Sequence, residues 1–234
     1  MAFSQEVMRE NVQNIREKMA RAAREAGRKP EEILLCAASK VQSTETVALA
    51  QGLEIDLFGE NRVQELCQKF DAGAYGSKPV HMIGHLQTNK VRQTVGRAAM
   101  IQSVDSLHLL QAIDAEARRQ GLRQDILIEI NIGGEESKSG IAPQQIWSML
   151  ENAAQCSGVA VRGLMAIPPV AEKKGQNRHY FALLRQLFVD ISTKTYDNIS
   201  MDFLSMGMSA DYEDAILEGA NIVRIGTAIF GRRY

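Results

Sequence analysis

The chain has few cysteines, and their scarcity argues against two kinds of small protein. Its 234 residues include three cysteines, Cys36, Cys67 and Cys156, which lie far apart and form no C-x-x-C pair. An odd number of widely spaced cysteines is unlike a disulfide framework or a zinc cluster, and it fits a reducing compartment. His81 and His85 are four residues apart, but no third ligand accompanies them, so we expect no metal site.

The chain also lacks an excess of charge and a long apolar run. Its formal net charge is -1, which gives no electrostatic argument for a nucleic-acid or anionic-membrane partner. The longest uncharged run, from Ser139 to Leu150, is shorter than the roughly 18 residues that a spanning helix needs. The first residues lead into a charged helix instead of an apolar signal-peptide core. These absences predict a soluble, cytoplasmic protein.

What is present is a regular alternation of helical and apolar segments. Val12, Ile15 and Met19 recur at spacings of three and four, which predicts an N-terminal helix over about residues 5–27. Eight strand-like runs separated by helical patterns then predict a single-domain α/β fold over residues 1–234, a (β/α)8 TIM-type barrel with an extra N-terminal helix. A doubly wound open sheet is the alternative. The eight runs are Ile33–Ala38, Ile55–Gly59, Val80–Gly84, Ala98–Val104, Ile126–Asn131, Val161–Ile167, Phe203–Met208 and Ile222–Gly226.

In such a barrel the active face is built from the carboxyl ends of the strands, and Lys40 directly follows the first run. The last run places Arg224 and Gly226 on one face, because side chains alternate along a strand. An arginine that points into a barrel needs an anion or a strong acceptor. Gly226 allows a ligand close to the backbone, and Thr227 adds a hydroxyl and an amide N–H. This pattern predicts a phosphate site.

The seventh strand supports the same interpretation. It contains Ser205 and ends just before Ser209, which we expect to be the N-cap of the next helix. The loops after the seventh and eighth strands commonly hold phosphate in this fold. Asp211, Glu213 and Asp214 would repel a phosphate, so we expect these acids to point outward.

Other strand ends carry polar residues with weaker signals. Asn61 follows the second run and could bond a ring substituent, and His85 follows the third and could lie against a flat ligand. Lys138 follows the fifth run and rivals Lys40 as an electrophile trap. Its loop is hydrophilic and bears two acids, so we expect Lys40 to have the drier setting.

These residues occur in stretches that resemble the pyridoxal phosphate homeostasis protein family, barrel relatives of the N-terminal domain of alanine racemase. The resemblance implies a fold-type III barrel for pyridoxal 5'-phosphate (PLP), in which Lys40 carries the cofactor as a Schiff base. It implies that Ser209, Gly226 and Thr227 hold the phosphate and that Arg224 faces the pyridine nitrogen. Asn61 and Ser205 complete the predicted cofactor-binding set. The similar stretches are Ala38–Lys40, Phe58–Asn61, Ile83–Lys90, Gly163–Met165, Leu204–Ser209 and Val223–Gly231.

The resemblance also implies a role in cofactor supply and amino-acid balance, with no established turnover. The leading hypothesis is a PLP carrier that serves apo PLP-dependent enzymes and has no catalytic residue. A PLP-dependent amino-acid racemase is the alternative, but it needs a second base opposite Lys40. The chain ends at Tyr234, just past the eighth strand, and no tyrosine is evidently at a strand mouth. A third possibility is a cofactor-free barrel in which Lys40 binds a phosphorylated sugar. We expect a monomer.

Overall fold

The computed structural model describes residues 4–171 and 173–231, and a closed barrel of eight parallel strands lies at its centre. The strands follow one another around the barrel in chain order, and the first pairs with the eighth to close it. The predicted barrel is therefore confirmed, and the open sheet is excluded. The strands are β1 (Leu34–Ala38), β2 (Leu57–Glu60), β3 (Val80–Met82), β4 (Met100–Val104), β5 (Gln124–Ile130), β6 (Val159–Ala166), β7 (Ile199–Met208) and β8 (Ile222–Ile225).

A helix precedes the barrel and one helix follows each strand within the described ranges. Short 3-10 turns lie at Pro30–Glu32, Thr88–Lys90 and Pro143–Gln145. Tyr234 is outside the described residues. The helices are α1 (Gln5–Glu25), α2 (Thr44–Ala50), α3 (Val63–Asp71), α4 (Val91–Thr94), α5 (Leu107–Gln120), α6 (Ile146–Ala154), α7 (Arg178–Ser192), α8 (Tyr212–Leu217) and α9 (Thr227–Phe230).

Each predicted apolar run contains a strand, although several boundaries move. The largest difference is in β7, which begins at Ile199, four residues before the predicted start. Polar Ser200 and Asp202 alternate with Ile199 and Met201 there, and the two apolar side chains pack against the outer core. A half-buried strand has this alternating pattern, whereas the prediction rested on continuous apolar residues.

Side chains of the strands form two separate apolar layers. The larger layer lies between the strands and the surrounding helices, because it contains residues from both. Two smaller clusters contain no helical residue and therefore fill the barrel interior. One is formed by Cys36, Ala38, Leu57, Ile83 and Ile222, and the other by Met100, Leu127 and Met165.

The helix α1 packs against α8 and α9, the helices that follow β7 and β8. Its buried stripe includes the predicted Val12, Ile15 and Met19. Ser4 caps its start by accepting a hydrogen bond from the Val7 N–H. The amide of Asn11 donates to the Ile229 carbonyl, which ties α1 to the last helix.

Candidate functional site

The closed strand order brings four of the predicted positions to one arc of the barrel mouth. β7, β8, β1 and β2 are consecutive neighbours, so the segments that follow them lie side by side. Lys40 follows β1, Asn61 follows β2, Ser209 follows β7, and Thr227 begins α9 after β8. Residues nearly 190 positions apart in sequence thus meet at one edge, because parallel strands present their carboxyl ends together.

Close contact between β1 and β8 depends on a glycine. Cys36 is paired with Arg224 and Ala37 with Ile225, which places Gly226 beside Ala38. A Cβ atom at residue 226 would lie 2.9 Å from the Ala38 carbonyl oxygen. A side chain at residue 226 would therefore push apart the two strand ends that lead to Lys40 and Thr227.

The Lys40 side chain is exposed, and so is that of Lys138. The expectation that Lys40 has the drier setting is therefore not confirmed, because both side chains are exposed. Burial does not separate the two lysines; position in the barrel does. Lys40 follows a barrel strand by two residues, whereas Lys138 lies eight residues beyond the end of β5 in a hydrophilic loop.

Arg224 points into the barrel as predicted, and it is 4% exposed. Its Nη1 atom donates to Ser205 Oγ at 2.5 Å, and its Nη2 atom donates to the Ala166 carbonyl at 2.9 Å. Burial lowers the pKa of this guanidinium, although nearby acids oppose the shift. Arginine has five N–H donors. The two bonds to described residues use two of them.

Ser205 connects Arg224 to two polar residues on the opposite side of the barrel. Its hydroxyl lies 2.6 Å from Gln102 Oε1, and Gln102 Nε2 lies 2.8 Å from His81 Nδ1. Because arginine only donates, Ser205 accepts from it and must donate to Gln102. Gln102 then donates through its Nε2 to His81, so His81 Nδ1 must be unprotonated. Burial agrees, since it lowers the pKa of His81 to about 4.

Ser205 is a predicted member of the cofactor-binding set, whereas Gln102 was not predicted and His81 was considered only as a metal ligand. Ser205 is fully buried, and its hydroxyl is bonded to Arg224 and Gln102. Its membership of the cofactor site stays a prediction, in which it would act through Arg224. The sequence could have indicated Gln102, because it lies two residues from Met100 in the same strand. Side chains two apart share a strand face, and Met100 faces the barrel interior.

The turn after β7 differs from the prediction. Ser209 is not the N-cap of α8, because the helix begins at Tyr212 and Asp211, two residues after Ser209, stands at the cap position. Asp211 is buried, and its carboxylate accepts from the Met208 N–H at 2.8 Å and from Asn177 Nδ2 at 2.8 Å. These two bonds fix the turn and leave Ser209 half-buried beside the start of α9.

The acids of this turn do not all point outward, so that expectation is also wrong. Asp211 and Asp214 are buried, and Asp214 accepts a hydrogen bond from the Gly175 N–H. Glu213 alone behaves as predicted, since it pairs with exposed Arg21 at 2.9 Å. Each of the three acids thus has its own partner in the fold.

Glu129 is a residue of the barrel mouth that the sequence analysis missed. It shares the inward face of β5 with Leu127, is 5% exposed, and makes no side-chain hydrogen bond with the described residues. The pKa of Glu129 is raised to about 7, first by burial and then by Asp105, while Arg224 and His85 oppose the shift. The site thus contains a carboxyl group that can change charge near neutral pH.

Asn61 and His85 lie in neighbouring loops of the mouth, after β2 and β3. A side chain on Gly84 would collide with the Asn61 backbone, so the missing side chain lets these two loops touch. The exposed His85 places its Nδ1 atom 2.9 Å from Asp105 Oδ2. Their predicted contacts with a ligand stay predictions.

Comparisons with known proteins agree with this geometry. The alanine racemase N-terminal domain family matches residues 6–233. The pyridoxal phosphate homeostasis protein of Aquifex aeolicus (strain VF5) is 39% identical over 96% of this chain and 97% of its own length. The protein of that name from Pseudomonas aeruginosa is 40% identical over 96% and 95%. No helix in the described ranges is long and apolar enough to cross a membrane.

A solved relative carries a ligand. The structure of PipY from Synechococcus elongatus PCC7942 with PLP bound has a TM-score of 0.78 and 30% identity, and the match covers 91% of this chain and all of PipY. Both the sequence relatives and this structure match nearly the whole chain. The chain therefore belongs to the alanine racemase N-terminal domain family and, within it, to the pyridoxal phosphate homeostasis proteins.

Proposed function

We propose that this protein binds PLP, holds it as a Schiff base on Lys40, and serves intracellular PLP homeostasis and amino-acid balance. The observation that carries the proposal is the adjacency of β8 and β1, which puts Arg224, Thr227 and Lys40 around one mouth. A related barrel, PipY, is known with PLP bound, and 30% identity over nearly the whole chain supports the same ligand here.

The residues of this mouth fit the chemical groups of PLP. Lys40 has an exposed amine that an aldehyde can reach. Thr227 is exposed at the start of α9, where the first backbone N–H groups have no partner inside the helix and can bind a phosphate together with Ser209. The unspent N–H donors of Arg224 suit the unprotonated nitrogen of a pyridine ring. When bound, PLP supplies a reactive aldehyde.

Arg224 favours a carrier over a catalyst. An arginine has no acceptor atom, so beside a pyridine nitrogen it keeps that nitrogen unprotonated. Most PLP catalysis relies on a protonated ring as an electron sink, and Arg224 would weaken it. Its hydrogen bonds to Ser205 and Ala166 hold the guanidinium in place, so it cannot easily turn away. We infer that the protein sequesters the cofactor and passes it to apo PLP-dependent enzymes, and that it does so as a monomer.

The binding test compares two lysine variants. Purified protein is mixed with PLP, desalted, and examined for the visible absorption of a Schiff base. We expect absorption in the wild type and in Lys138→Ala, which removes an exposed lysine of the loop after β5, but not in Lys40→Ala. A wild type that stays colourless after reconstitution would contradict the proposal. An equal loss of absorption in both variants would contradict the assignment of the Schiff base to Lys40.

A second measurement separates a carrier from a racemase. Loaded protein is incubated with L-alanine and other L-amino acids, and the D-enantiomers are measured over time. The proposal predicts no sustained production of D-amino acid, together with transfer of PLP to an apo-enzyme whose activity returns. Robust racemisation would make the enzyme the better description.

A further inference from the structure

A buried cluster of charged residues lies directly behind Lys40, on the outer side of the barrel wall. Lys69 of α3 is 3% exposed, and its Nζ atom lies 2.7 Å from Oε1 of the fully buried Glu60. The hydroxyl of Ser39 donates to the same carboxylate at 2.6 Å. Tyr75 donates to it at 3.2 Å. The cluster therefore consists of Glu60, Lys69, Tyr75 and Ser39. Ser39 is the residue that precedes Lys40.

This cluster holds the peptide groups on both sides of Lys40. Lys69 donates to the Ser39 carbonyl at 2.8 Å. On the other side of Lys40, the Val41 N–H donates to Glu65 Oε2 at 2.5 Å. Lys69 and Glu65 are themselves 3.5 Å apart. One side of Lys40 is thus held by a cation and the other by an anion, and both come from a single helix.

The backbone at this point is strained. Val41 has a φ angle of 60°, in the left-handed region, and it is the one non-glycine residue with positive φ in the described ranges. A β-branched residue adopts this conformation only when its surroundings impose it. The Val41 N–H donates to Glu65, and the Gln42 N–H donates to the Ser39 carbonyl, so both bonds hold the chain in this conformation. Strain of this kind is often retained at ligand sites, where it fixes the direction of a side chain.

General stability does not explain the cluster. A buried ion pair loses much of its attraction to desolvation, and apolar residues of similar size are often as stable. Desolvation raises the pKa of Glu60 even though Lys69 and Ser39 oppose the shift, and Oε2 of Glu60 has no hydrogen-bond partner among the described residues. What the cluster does provide is geometry. The Ser39 side chain points outward into the cluster. Because successive side chains alternate, the Lys40 side chain points towards the barrel mouth.

We propose that α3 is a brace for Lys40, in which Glu65 and Lys69 act as positioning residues that aim its amine into the barrel mouth. The inference deepens the proposed function and rests on it, because Lys40 must be the residue that takes the aldehyde. The brace itself, however, is a property of the unloaded chain and can be measured without PLP.

The test uses Glu65→Ala, which removes the acceptor of the Val41 N–H, and Glu65→Gln, which keeps an oxygen acceptor but not the charge. Gln64→Ala is the matched control, because Gln64 is the exposed neighbour on α3 and makes no recorded hydrogen bond with the described residues. Amide hydrogen exchange of residues 39–42 is measured in unloaded protein. PLP affinity is then measured from the visible absorption of loaded protein.

We expect Glu65→Ala to speed exchange at Val41 and to weaken PLP binding about tenfold, while Glu65→Gln stays within about threefold of wild type and Gln64→Ala is unchanged. Faster exchange with unchanged PLP affinity in Glu65→Ala would overturn the positioning role. Wild-type exchange in Glu65→Ala would overturn the brace as a whole.

Two further results keep the outcomes distinct. If Glu65→Ala does not fold, Val41→Gly/Glu65→Ala replaces it, since glycine adopts this φ without strain. The double variant should fold and still bind PLP about tenfold more weakly, and wild-type affinity would contradict the proposal. A wild type that never takes up PLP ends the proposed function and the positioning role together, whereas a failure confined to Glu65→Ala leaves the proposed function intact.

Discussion

The protonation of Glu129 offers a sharp test of how the barrel mouth is built. Glu129→Gln replaces the carboxyl group with a neutral amide of nearly the same shape. Because burial raises the pKa of Glu129 to about 7 from an ordinary value of 4.5, ionising it in the fold costs about 3 kcal/mol more than in the unfolded chain. The groups that influence it are Asp105, Arg224 and His85, and the first opposes ionisation while the other two favour it.

The direction of the pH effect follows from the raised pKa. Below pH 4.5 the carboxyl group is protonated in both states, and the wild type keeps its full stability. As the pH rises from 4.5 through 7, the unfolded chain ionises first, and the wild type loses up to about 3 kcal/mol. Glu129→Gln does not titrate, so it should match the wild type at pH 4.5 and exceed it at pH 8.

Thermal unfolding followed by circular dichroism measures this difference. For a chain of this size, 1 kcal/mol corresponds to about 2–4 °C, so the melting temperature of Glu129→Gln should exceed that of wild type by about 6–12 °C at pH 8. Glu136→Gln, which changes an exposed acid of the loop after β5, should show no such pH-dependent gain. A gain of the same size at pH 4.5 and pH 8, or a loss at pH 8, would refute the reasoning.

Three other predictions concern the groups around Arg224. Ser205→Ala removes the hydrogen bonds that join Arg224 to Gln102 through Ser205. It should lower the free energy of unfolding by about 1–3 kcal/mol in urea titrations and weaken PLP binding measured by absorption. An unaltered affinity would show that Arg224 does not need Ser205 to bind the cofactor. Gly226→Ala places a Cβ atom 2.9 Å from the Ala38 carbonyl oxygen, so we expect loss of PLP retention after desalting, and full retention would contradict the close approach of β8 and β1. Nitrogen NMR should find His81 neutral with an unprotonated Nδ1 at pH 5 and above, because burial lowers its pKa to about 4. The contribution of neutral His81 to stability is lost as the pH falls from 6.5 towards 4. A protonated ring at pH 6 would contradict the direction of the hydrogen bond between Gln102 and His81.

The fold could be predicted because strands of a parallel barrel are buried on both faces and are therefore nearly continuous apolar runs. The prediction was least accurate where that condition fails, at the half-exposed start of β7. The helix after β7 was misplaced for a different reason. Ser209 has the residue type of an N-cap, but Asp211 takes that position because Asn177 and the Met208 N–H hold its carboxylate.

The candidate site could be predicted where its residues follow strands or, like Arg224, lie on the inward face of a strand. Lys40 and Thr227 are visible because parallel strands deliver their carboxyl ends to one edge. The chain from Arg224 to His81 was not visible, because Ser205 and Gln102 are 103 residues apart in sequence and meet only across the barrel. The hydrogen bond from the Val41 N–H to Glu65 could not be predicted either. It depends on the positive φ angle of Val41, which a valine in the sequence does not indicate.

The central claim is that Lys40 carries PLP, and reductive trapping tests it most directly. Protein mixed with PLP is treated with borohydride, which turns a Schiff base into a stable amine, and the modified peptide is then identified by mass spectrometry. We expect one stoichiometric modification at Lys40, and none at Lys138 or Lys69, which is buried in its ion pair. A stoichiometric modification at another lysine, with Lys40 unmodified, would contradict the account.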